Sequence, residues 1–320
     1  MIALRLVTTP GFGKESFEEV QNLQASFPLP RKKVPWKASR KGSVIHIENT
    51  NLKESLFLLQ HLYGFRDFLY KGPEGWISSY NNKAYIRGIK SPFPTAAPIP
   101  EDLAYHCIKE SFRFAQVSLE DSYLAYIPFA GTMTFATELA LIQSKYPYTN
   151  LPKPHPFVAD HPELTPTLKH LTQSTSHRSR NFNKILMLDS DPALESYFLT
   201  EKRNWENFLQ SALPWYYEKG SFFSYSPDFE DYENIFIPIN PPFGNRKMQR
   251  QDRLYERLAI QLANWISIFP KKLFFGAILS KNKEDWSNFL RKVNLANTKT
   301  VHATHGGDLR ITYFVFGENR

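Results

Sequence analysis

From residue 101 to residue 320, short apolar runs of strand length alternate with longer segments of helical periodicity. The pattern predicts strands at 123–127, 185–188, 235–239, 273–279 and 309–316. It predicts helices at 101–116, 134–145, 192–205, 253–269 and 282–293. Strands that alternate with helices are typical of a mostly parallel, doubly wound sheet. We therefore predict an α/β fold with a Rossmann-like sheet for this part of the chain.

The N-terminal part of the chain has a different pattern and predicts a small α+β domain. Strands are expected at 4–7 and 44–48, and helices at 14–25 and 52–63. Asn51 is a suitable N-cap for the second helix. A Pro- and Ala-rich stretch at 91–100 separates this part from the rest. The predicted organisation is a small domain at 1–90, a linker at 91–100 and a Rossmann-like domain at 101–320.

An Asn-Pro-Pro-aromatic tetrad directly follows the strand predicted at 235–239, where ligands of doubly wound sheets bind. Its residues are Asn240, Pro241, Pro242 and Phe243. The prolines hold the backbone in one shape, because each ring fixes φ and removes a donor. The Asn oxygen and the Pro241 carbonyl can accept N–H groups, and the aromatic ring offers a face for a base. The tetrad suits methyl transfer to an exocyclic base amine, and the alternative is a Pro-rich turn ended by Gly244.

The loop between the first strand of this domain and its next helix is a candidate cofactor site. It consists of Pro128, Phe129, Ala130, Gly131 and Thr132. Gly permits close approach of the backbone to a ligand, and a helix N-terminus supplies free N–H groups. One Gly in a loop is weak evidence on its own.

Three carboxylates extend this candidate site. Asp189 and Asp191 follow the second predicted strand, where a carboxylate commonly holds ribose hydroxyls. Either residue could instead cap the following helix. Asp228 falls where a third strand would end, and its carboxylate could accept a hydrogen bond from an adenine amine, with a plain turn as the alternative. The order of loop, carboxylates and tetrad is more informative than any one member.

The formal net charge of +8 favours polyanionic partners, although charge alone indicates only non-specific attraction. Two basic stretches are candidates for phosphate contact. They contain Lys32, Lys33 and Trp36 in the first, and Arg246, Lys247 and Arg250 in the second. The first is either a solvated loop or an arm with a stacking Trp. The second directly follows the tetrad, a position that favours phosphates beside a target nucleotide over a solvated helix lead-in.

Several classes of protein are disfavoured by composition. The single cysteine, Cys107, excludes an intrachain disulfide and a Cys-rich zinc site, and we predict no metal site. The sequence has neither an apolar run of membrane-spanning length nor a signal-peptide pattern at its first residues. We therefore expect a cytoplasmic protein that does not insert into a membrane.

The chain resembles the S-adenosylmethionine-dependent RNA guanine-amine methyltransferases associated with THUMP domains. The family's catalytic motif, Asn-Pro-Pro-Tyr-Gly-x-Arg, is similar to residues 240–246. Its glycine loop, Asp-Pro-(Phe/Met)-Cys-Gly-Ser-Gly-Thr, is similar to residues 127–134, and its motif Asp-Ile-Asp-Pro to residues 189–192. Residues 42–62 look like the family's small ferredoxin-like unit, and residues 305–310 like its final hairpin.

The resemblance implies a Rossmann-like methyltransferase sheet, S-adenosylmethionine as methyl donor, and an acceptor amine in ribosomal or transfer RNA. Asn240 and the Pro241 carbonyl would orient the amine while Phe243 stacks on the base. Asp189 would hold the ribose of the donor and Asp228 its adenine. Guanine is favoured over adenine by the resemblance only.

Three departures from the family leave alternatives open. Ile127 replaces the leading Asp of the glycine loop, and Met133 replaces its second Gly. The stretch between Lys71 and Asn81 has no room for a full THUMP domain, so a protein partner could supply RNA recognition. A catalytically inactive, RNA-binding or assembly factor with a methyltransferase fold is therefore one alternative. A DNA adenine-amine methyltransferase is another, and the sequence does not indicate the oligomeric state.

Overall fold

The computed structural model describes residues 2–26, 36–78, 99–144, 157, 160–167, 182–225, 227–241, 253–281, 289, 297–304 and 307–317. The chain forms two compact units. The first comprises Met1–Pro92, Ile99–His106 and Ser144–Arg180, and the second comprises Phe93–Pro98, Cys107–Gln143 and Asn181–Arg320. Residues 101–106 and 144–180 therefore cluster with the N-terminal part, although the sequence pattern placed them in the larger domain.

The first unit contains a five-stranded antiparallel sheet. Its strands are β1 (Ile2–Val7), β2 (Lys37–Lys41), β3 (Val44–Thr50), β4 (Asp67–Gly72) and β5 (Gly75–Ser78). Helix α1 (Gly13–Ser26) follows β1, and helix α2 (Leu52–His61) follows β3. The strand order β2-β3-β1-β4-β5 is the ferredoxin-like order with one strand added at the edge. The predicted ferredoxin-like fold is therefore confirmed.

Alternation along the strands builds the core of this unit. Leu4 and Leu6 on β1 are buried together with apolar residues of α2, whereas Arg5 between them is only partly buried. Asn51 caps α2 as predicted, because its side chain accepts the Glu54 N–H at 2.9 Å. The Glu54 carboxylate in turn accepts the Asn51 N–H at 2.9 Å, which completes a capping box.

The second unit contains a seven-stranded mixed sheet with the order β11-β12-β10-β9-β6-β7-β8. Its strands are β6 (Leu124–Pro128), β7 (Ile185–Asp189), β8 (Trp215–Lys219), β9 (Asn234–Ile239), β10 (Leu273–Ser280), β11 (Asn297–Thr304) and β12 (Asp308–Phe316). Strands β6 to β10 are parallel, and β12 is antiparallel to both β10 and β11. The predicted Rossmann-like sheet is therefore confirmed.

Four helices accompany the strands of this sheet in the sequence. They are α3 (Glu101–Ala115), α4 (Thr134–Ser144), α5 (Leu194–Leu209) and α6 (Leu254–Ile268), and α3 counts with the first unit up to His106. Apolar side chains of α6 pack with those of β6 and β9 in one core cluster. The central strands β6 and β9 are almost wholly buried, as strands of a parallel sheet must be when helices cover both faces.

Five strands were not predicted from the sequence, namely β2, β4, β5, β8 and β11. Strands β2, β8 and β11 are largely exposed, so their apolar pattern is weak. The helix predicted at 282–293 lies outside the described residues, apart from residue 289. Among the helices that the structure describes, none has the length and apolar composition needed to cross a membrane.

Candidate active site

The carboxyl ends of four parallel strands lie side by side at one edge of the second sheet, in the order β8, β7, β6 and β9. The loop with Gly131 follows β6, Asp189 ends β7 and Asn240 follows β9. Ligands of doubly wound sheets bind at this edge, because the strand order reverses there. The structure thus brings three sequence-predicted site elements to neighbouring strand ends.

The loop after β6 has an unusual backbone. Phe129, Gly131 and Met133 have φ values of 59°, 50° and 58°. This left-handed conformation costs an L-residue about 1–2 kcal/mol, whereas glycine adopts it freely. A Cβ added at Gly131 would meet no atom closer than the Phe129 carbonyl oxygen at 3.9 Å, so the space in front of Gly131 is open. The loop then enters α4 at Thr134, so it leads directly into the first turn of a helix.

Asp189 ties this loop to the end of β7. One carboxylate oxygen accepts the Gly131 N–H at 3.1 Å, and the other accepts the Asp191 N–H at 3.1 Å. The Ala130 N–H adds a backbone bond to the Leu188 carbonyl at 3.0 Å. A carboxylate can accept about four hydrogen bonds, so Asp189 can still accept bonds from a ligand. Asp189 therefore fixes the loop and is available to hold hydroxyl groups.

Asp191 has a local role in the turn before α5. Its carboxylate accepts the Ala193 N–H at 3.0 Å, and its side chain is exposed. The N-cap residue of α5 is Ala193, so Asp191 is not the cap that the sequence left open. An Asp that bonds the N–H two residues later stabilises a turn by itself.

Tyr217 is a site residue that sequence reasoning missed, because β8 was not predicted. Its hydroxyl donates to the Asp191 carbonyl at 3.3 Å, and its ring stacks on Phe198 with centroids 5.4 Å apart. Burial and, to a smaller extent, the nearby charges of Asp189 and Asp191 together raise the pKa of Tyr217 to about 12. Tyr217 is therefore neutral at physiological pH and links β8 to the turn after β7.

Asn240 and Pro241 occupy the end of β9, beside the carboxyl ends of β6 and β10. Asn240 is half-buried and Pro241 is buried. Their position is fixed by β9, which pairs with β10 from Asn234 to Ile239 and with β6 near Ile235. Asn240 thus directly follows a central strand of the sheet, at the carboxyl end of that strand.

An aromatic cluster lies below the loops of this edge. Tyr126 on β6 packs edge-on against Trp265 at 5.5 Å, and Phe222 packs against the same indole at 5.1 Å. The Phe129 ring lies 5.8 Å from the Phe222 ring, which brings the loops after β6 and β8 together. Burial, followed by the nearby Tyr225, raises the pKa of Tyr126 well above its ordinary value. The floor of the site is therefore apolar and excludes charge.

Three sequence predictions are corrected. Asp228 does not end the third strand, because that strand is β8 and ends at Lys219. Asp228 lies later in the connection to β9, is exposed, and accepts the Glu230 N–H at 2.9 Å. Trp36 is 1% exposed in the core of the first unit, so it cannot stack on a base. Lys37–Lys41, at the end of the first basic stretch, is an edge strand rather than a loop.

Seven predicted site residues lie outside the part of the chain that the structure describes. They are Lys32, Lys33, Pro242, Phe243, Arg246, Lys247 and Arg250. Within the described part, no group of three or more His, Cys, Asp and Glu side chains could hold a metal ion.

Comparisons with known proteins identify the fold. No protein-family model and no curated protein matches the sequence. A possible methylase from Clostridium difficile 630 is similar in structure over 100% of this chain and 99% of its own, with a TM-score of 0.71 and 13% identity. A predicted N6-adenine-specific DNA methylase from Listeria monocytogenes is similar over 99% of this chain and 96% of its own, with a TM-score of 0.67 and 11% identity. The chain therefore has the Rossmann-like fold of these two proteins, N-terminal unit included.

Proposed function

We propose that this protein is an S-adenosylmethionine-dependent methyltransferase that acts on an exocyclic base amine of RNA. The observation that carries the proposal is the placement of Asn240 and Pro241 at the carboxyl end of β9, beside the strand that leads into the Gly131 loop. The fold shared with two methylases supports the same chemistry. The motif resemblance to the THUMP-associated RNA methyltransferases supports RNA, guanine in particular, as the acceptor.

The residues around Gly131 fit the donor. The open space in front of Gly131 admits a ligand against the backbone, and the start of α4 offers N–H groups to a carboxylate. Asp189 keeps acceptor capacity for two ribose hydroxyls after bonding the Gly131 and Asp191 N–H groups. Asp191 stays a predicted second carboxylate of the donor site, whereas Asp228 is left out of the proposed site because it does not end a strand.

The mechanism follows from what the tetrad can accept. When bound, the donor supplies an electrophilic methyl group on a positively charged sulfur. Asn240 and the Pro241 carbonyl would each accept one N–H of the base amine, which turns the nitrogen lone pair toward that methyl group. Phe243 would stack on the base and hold its plane. Catalysis then depends on positioning and on electrostatic complementarity, and the residues at the strand edge supply no strong general base.

RNA and DNA both contain exocyclic base amines, and one experiment separates these two acceptors. The Listeria relative in structure is described as a DNA methylase. The formal charge of +8 and the basic residues Arg246, Lys247 and Arg250 suit either polyanion. We expect tritium from labelled S-adenosylmethionine in ribosomal or transfer RNA, and a clear preference for DNA would overturn the RNA assignment.

A second candidate function is an inactive methyltransferase fold that binds RNA or assists assembly. Met133 and Ile127 favour it, because each is 1% exposed where the related family carries Gly and Asp. Met133 also keeps the left-handed backbone that glycine would adopt freely, with a φ of 58°. Donor binding separates the two functions. Under either function, the cytoplasmic location and the protein partner that supplies RNA recognition remain predictions.

The test is a calorimetric titration of the full chain with S-adenosylmethionine and S-adenosylhomocysteine. We expect micromolar binding that weakens at least tenfold in Asp189→Ala, because the variant loses both the ribose acceptor and the bond to the Gly131 loop. Ser190→Ala in the same exposed turn is the matched control and should bind as the parent does. Absence of binding at millimolar ligand would contradict the enzyme function for the isolated chain and would favour the inactive methyltransferase fold.

A further inference from the structure

The ferredoxin-like sheet of the first unit has two faces of different character. The face with Leu4 and Leu6 is buried in the core with α1 and α2. The other face carries Arg5, which pairs with His46 on β3 and with Leu69 on β4. These three residues are partly exposed. We call this second side of the sheet, formed by residues 2–7, 37–50 and 67–78, the open face.

A cation and an aromatic ring form a cation–π pair on the open face. The Arg5 guanidinium carbon lies 3.8 Å from the centre of the Trp76 ring on β5. Trp76 remains partly exposed, and the exposed Lys71 lies directly opposite it on β4. A guanidinium stacked on an indole fixes the plane of the ring, because the cation is attracted to the ring face. Unpaired bases stack on such aromatic and guanidinium planes.

The charges of the open face favour a polyanion. Lys37 and Lys41 on β2 are exposed. In the strand register, Lys37 lies opposite Glu48, the only carboxylate residue of β3. Together with Arg5 on β1 and Lys71 on β4, the two lysines place cations at the β2 edge of the sheet, in its middle and on the strand next to the opposite edge. The apolar side chains of this face are small in number and only partly exposed, which disfavours an obligate protein partner.

We propose that the open face binds single-stranded RNA, with the Arg5–Trp76 pair as a stacking platform and Lys37 and Lys71 as phosphate contacts. The proposal rests on the proposed function only for the choice of RNA over other polyanions. Stacking on Trp76 requires a base that is free of its pair, so a single strand fits and a duplex does not. Trp76 thus takes the stacking role that the sequence analysis considered for Trp36, because Trp36 is buried in the core of the unit.

Fluorescence anisotropy of a labelled 12-nucleotide single-stranded RNA with the full chain tests the proposal. We expect Trp76→Ala to weaken binding about 5- to 150-fold, the effect of losing one base stacked on an aromatic ring. Trp76→Phe keeps a ring and should stay within about threefold of the parent. It also guards against misfolding of the Ala variant, which circular dichroism monitors. Equal affinity for Trp76→Ala and the parent would overturn the proposal.

A matched pair of lysines tests the phosphate contact. Lys71→Gln should lower the salt slope of binding by about 0.7, the value for one phosphate contact on a single strand. Lys53→Gln is the control, because Lys53 is exposed on α2 at the helical side of the unit. Equal slopes for the two variants would show long-range attraction only, and duplex RNA that binds as tightly as the single strand would also contradict the proposal.

Donor titration of the same variants separates this proposal from the proposed function. Trp76→Ala should bind S-adenosylmethionine as the parent does, because Trp76 belongs to the first unit and the donor residues to the second. If the parent binds RNA through Trp76 but binds no donor, the methyltransferase function fails and the open-face proposal stands. If it binds donor while Trp76→Ala leaves RNA affinity unchanged, only the open-face proposal fails.

Discussion

Met133 combines a buried side chain with a strained backbone, and two substitutions separate these effects. The residue is 1% exposed, so truncation to Ala should cost about 2–5 kcal/mol. Met133→Ala keeps Cβ and therefore the strain of a φ of 58°. Met133→Gly loses the same side chain but relieves the strain. Because Ala at a positive φ costs more than the roughly 0.4–1 kcal/mol it saves in unfolded-chain entropy, we expect Met133→Gly to be the more stable variant by about 1 kcal/mol.

Urea unfolding measures this difference, followed by the fluorescence of the buried tryptophans of the second unit, Trp205, Trp215 and Trp265. Ala140→Gly in the interior of α4 is the control of opposite sign, and it should cost about 1 kcal/mol because Gly disfavours an ordinary helix. A Met133→Gly variant that is less stable than Met133→Ala would refute the left-handed backbone at this position.

Two further predictions concern particular hydrogen bonds. Tyr217→Phe should lower the free energy of unfolding by about 1 kcal/mol at neutral pH, because it removes the bond to the Asp191 carbonyl. Since the pKa of Tyr217 is raised from 10.0 to about 12, its contribution is complete below pH 10 and is lost as the pH rises toward 12, which ultraviolet titration of parent and variant will show. Asn51→Ala should destabilise the first unit by about 0.5–2 kcal/mol through loss of the capping box, measured by amide exchange in α2, and an unchanged exchange rate would contradict the capping role.

The sequence predicts the centre of the fold better than its edges. Strands β6, β7 and β9 are nearly continuous apolar runs, so their positions and the doubly wound, mostly parallel class of the sheet follow from the pattern alone. The capping residue Asn51 is equally local, because its partner Glu54 lies three residues away. Each of these predictions depends on neighbours in sequence and needs no knowledge of the tertiary fold.

The errors have a common physical cause, which is dependence on distant residues. Strand β8 is exposed on most of its residues, and only pairing with β7 identifies it as a strand. Because β8 was missed, Tyr217 was not considered and Asp228 was assigned to the end of a strand. The basic residues around Trp36 indicated a solvent-exposed loop or arm, yet the Trp36 ring is part of the core of the first unit. The polar open face, by contrast, emerges only when Arg5 and Trp76 meet across β4.

Methyl transfer to RNA by the Asn240→Ala variant tests whether the tetrad orients the acceptor amine. We predict tritium transfer by the parent and a loss of at least about a hundredfold in the variant, while calorimetry gives the same donor affinity for both. Retained donor affinity would show that the second unit still folds, so the loss would belong to the chemical step. Transfer at the parent rate by Asn240→Ala would contradict the proposed role of the tetrad.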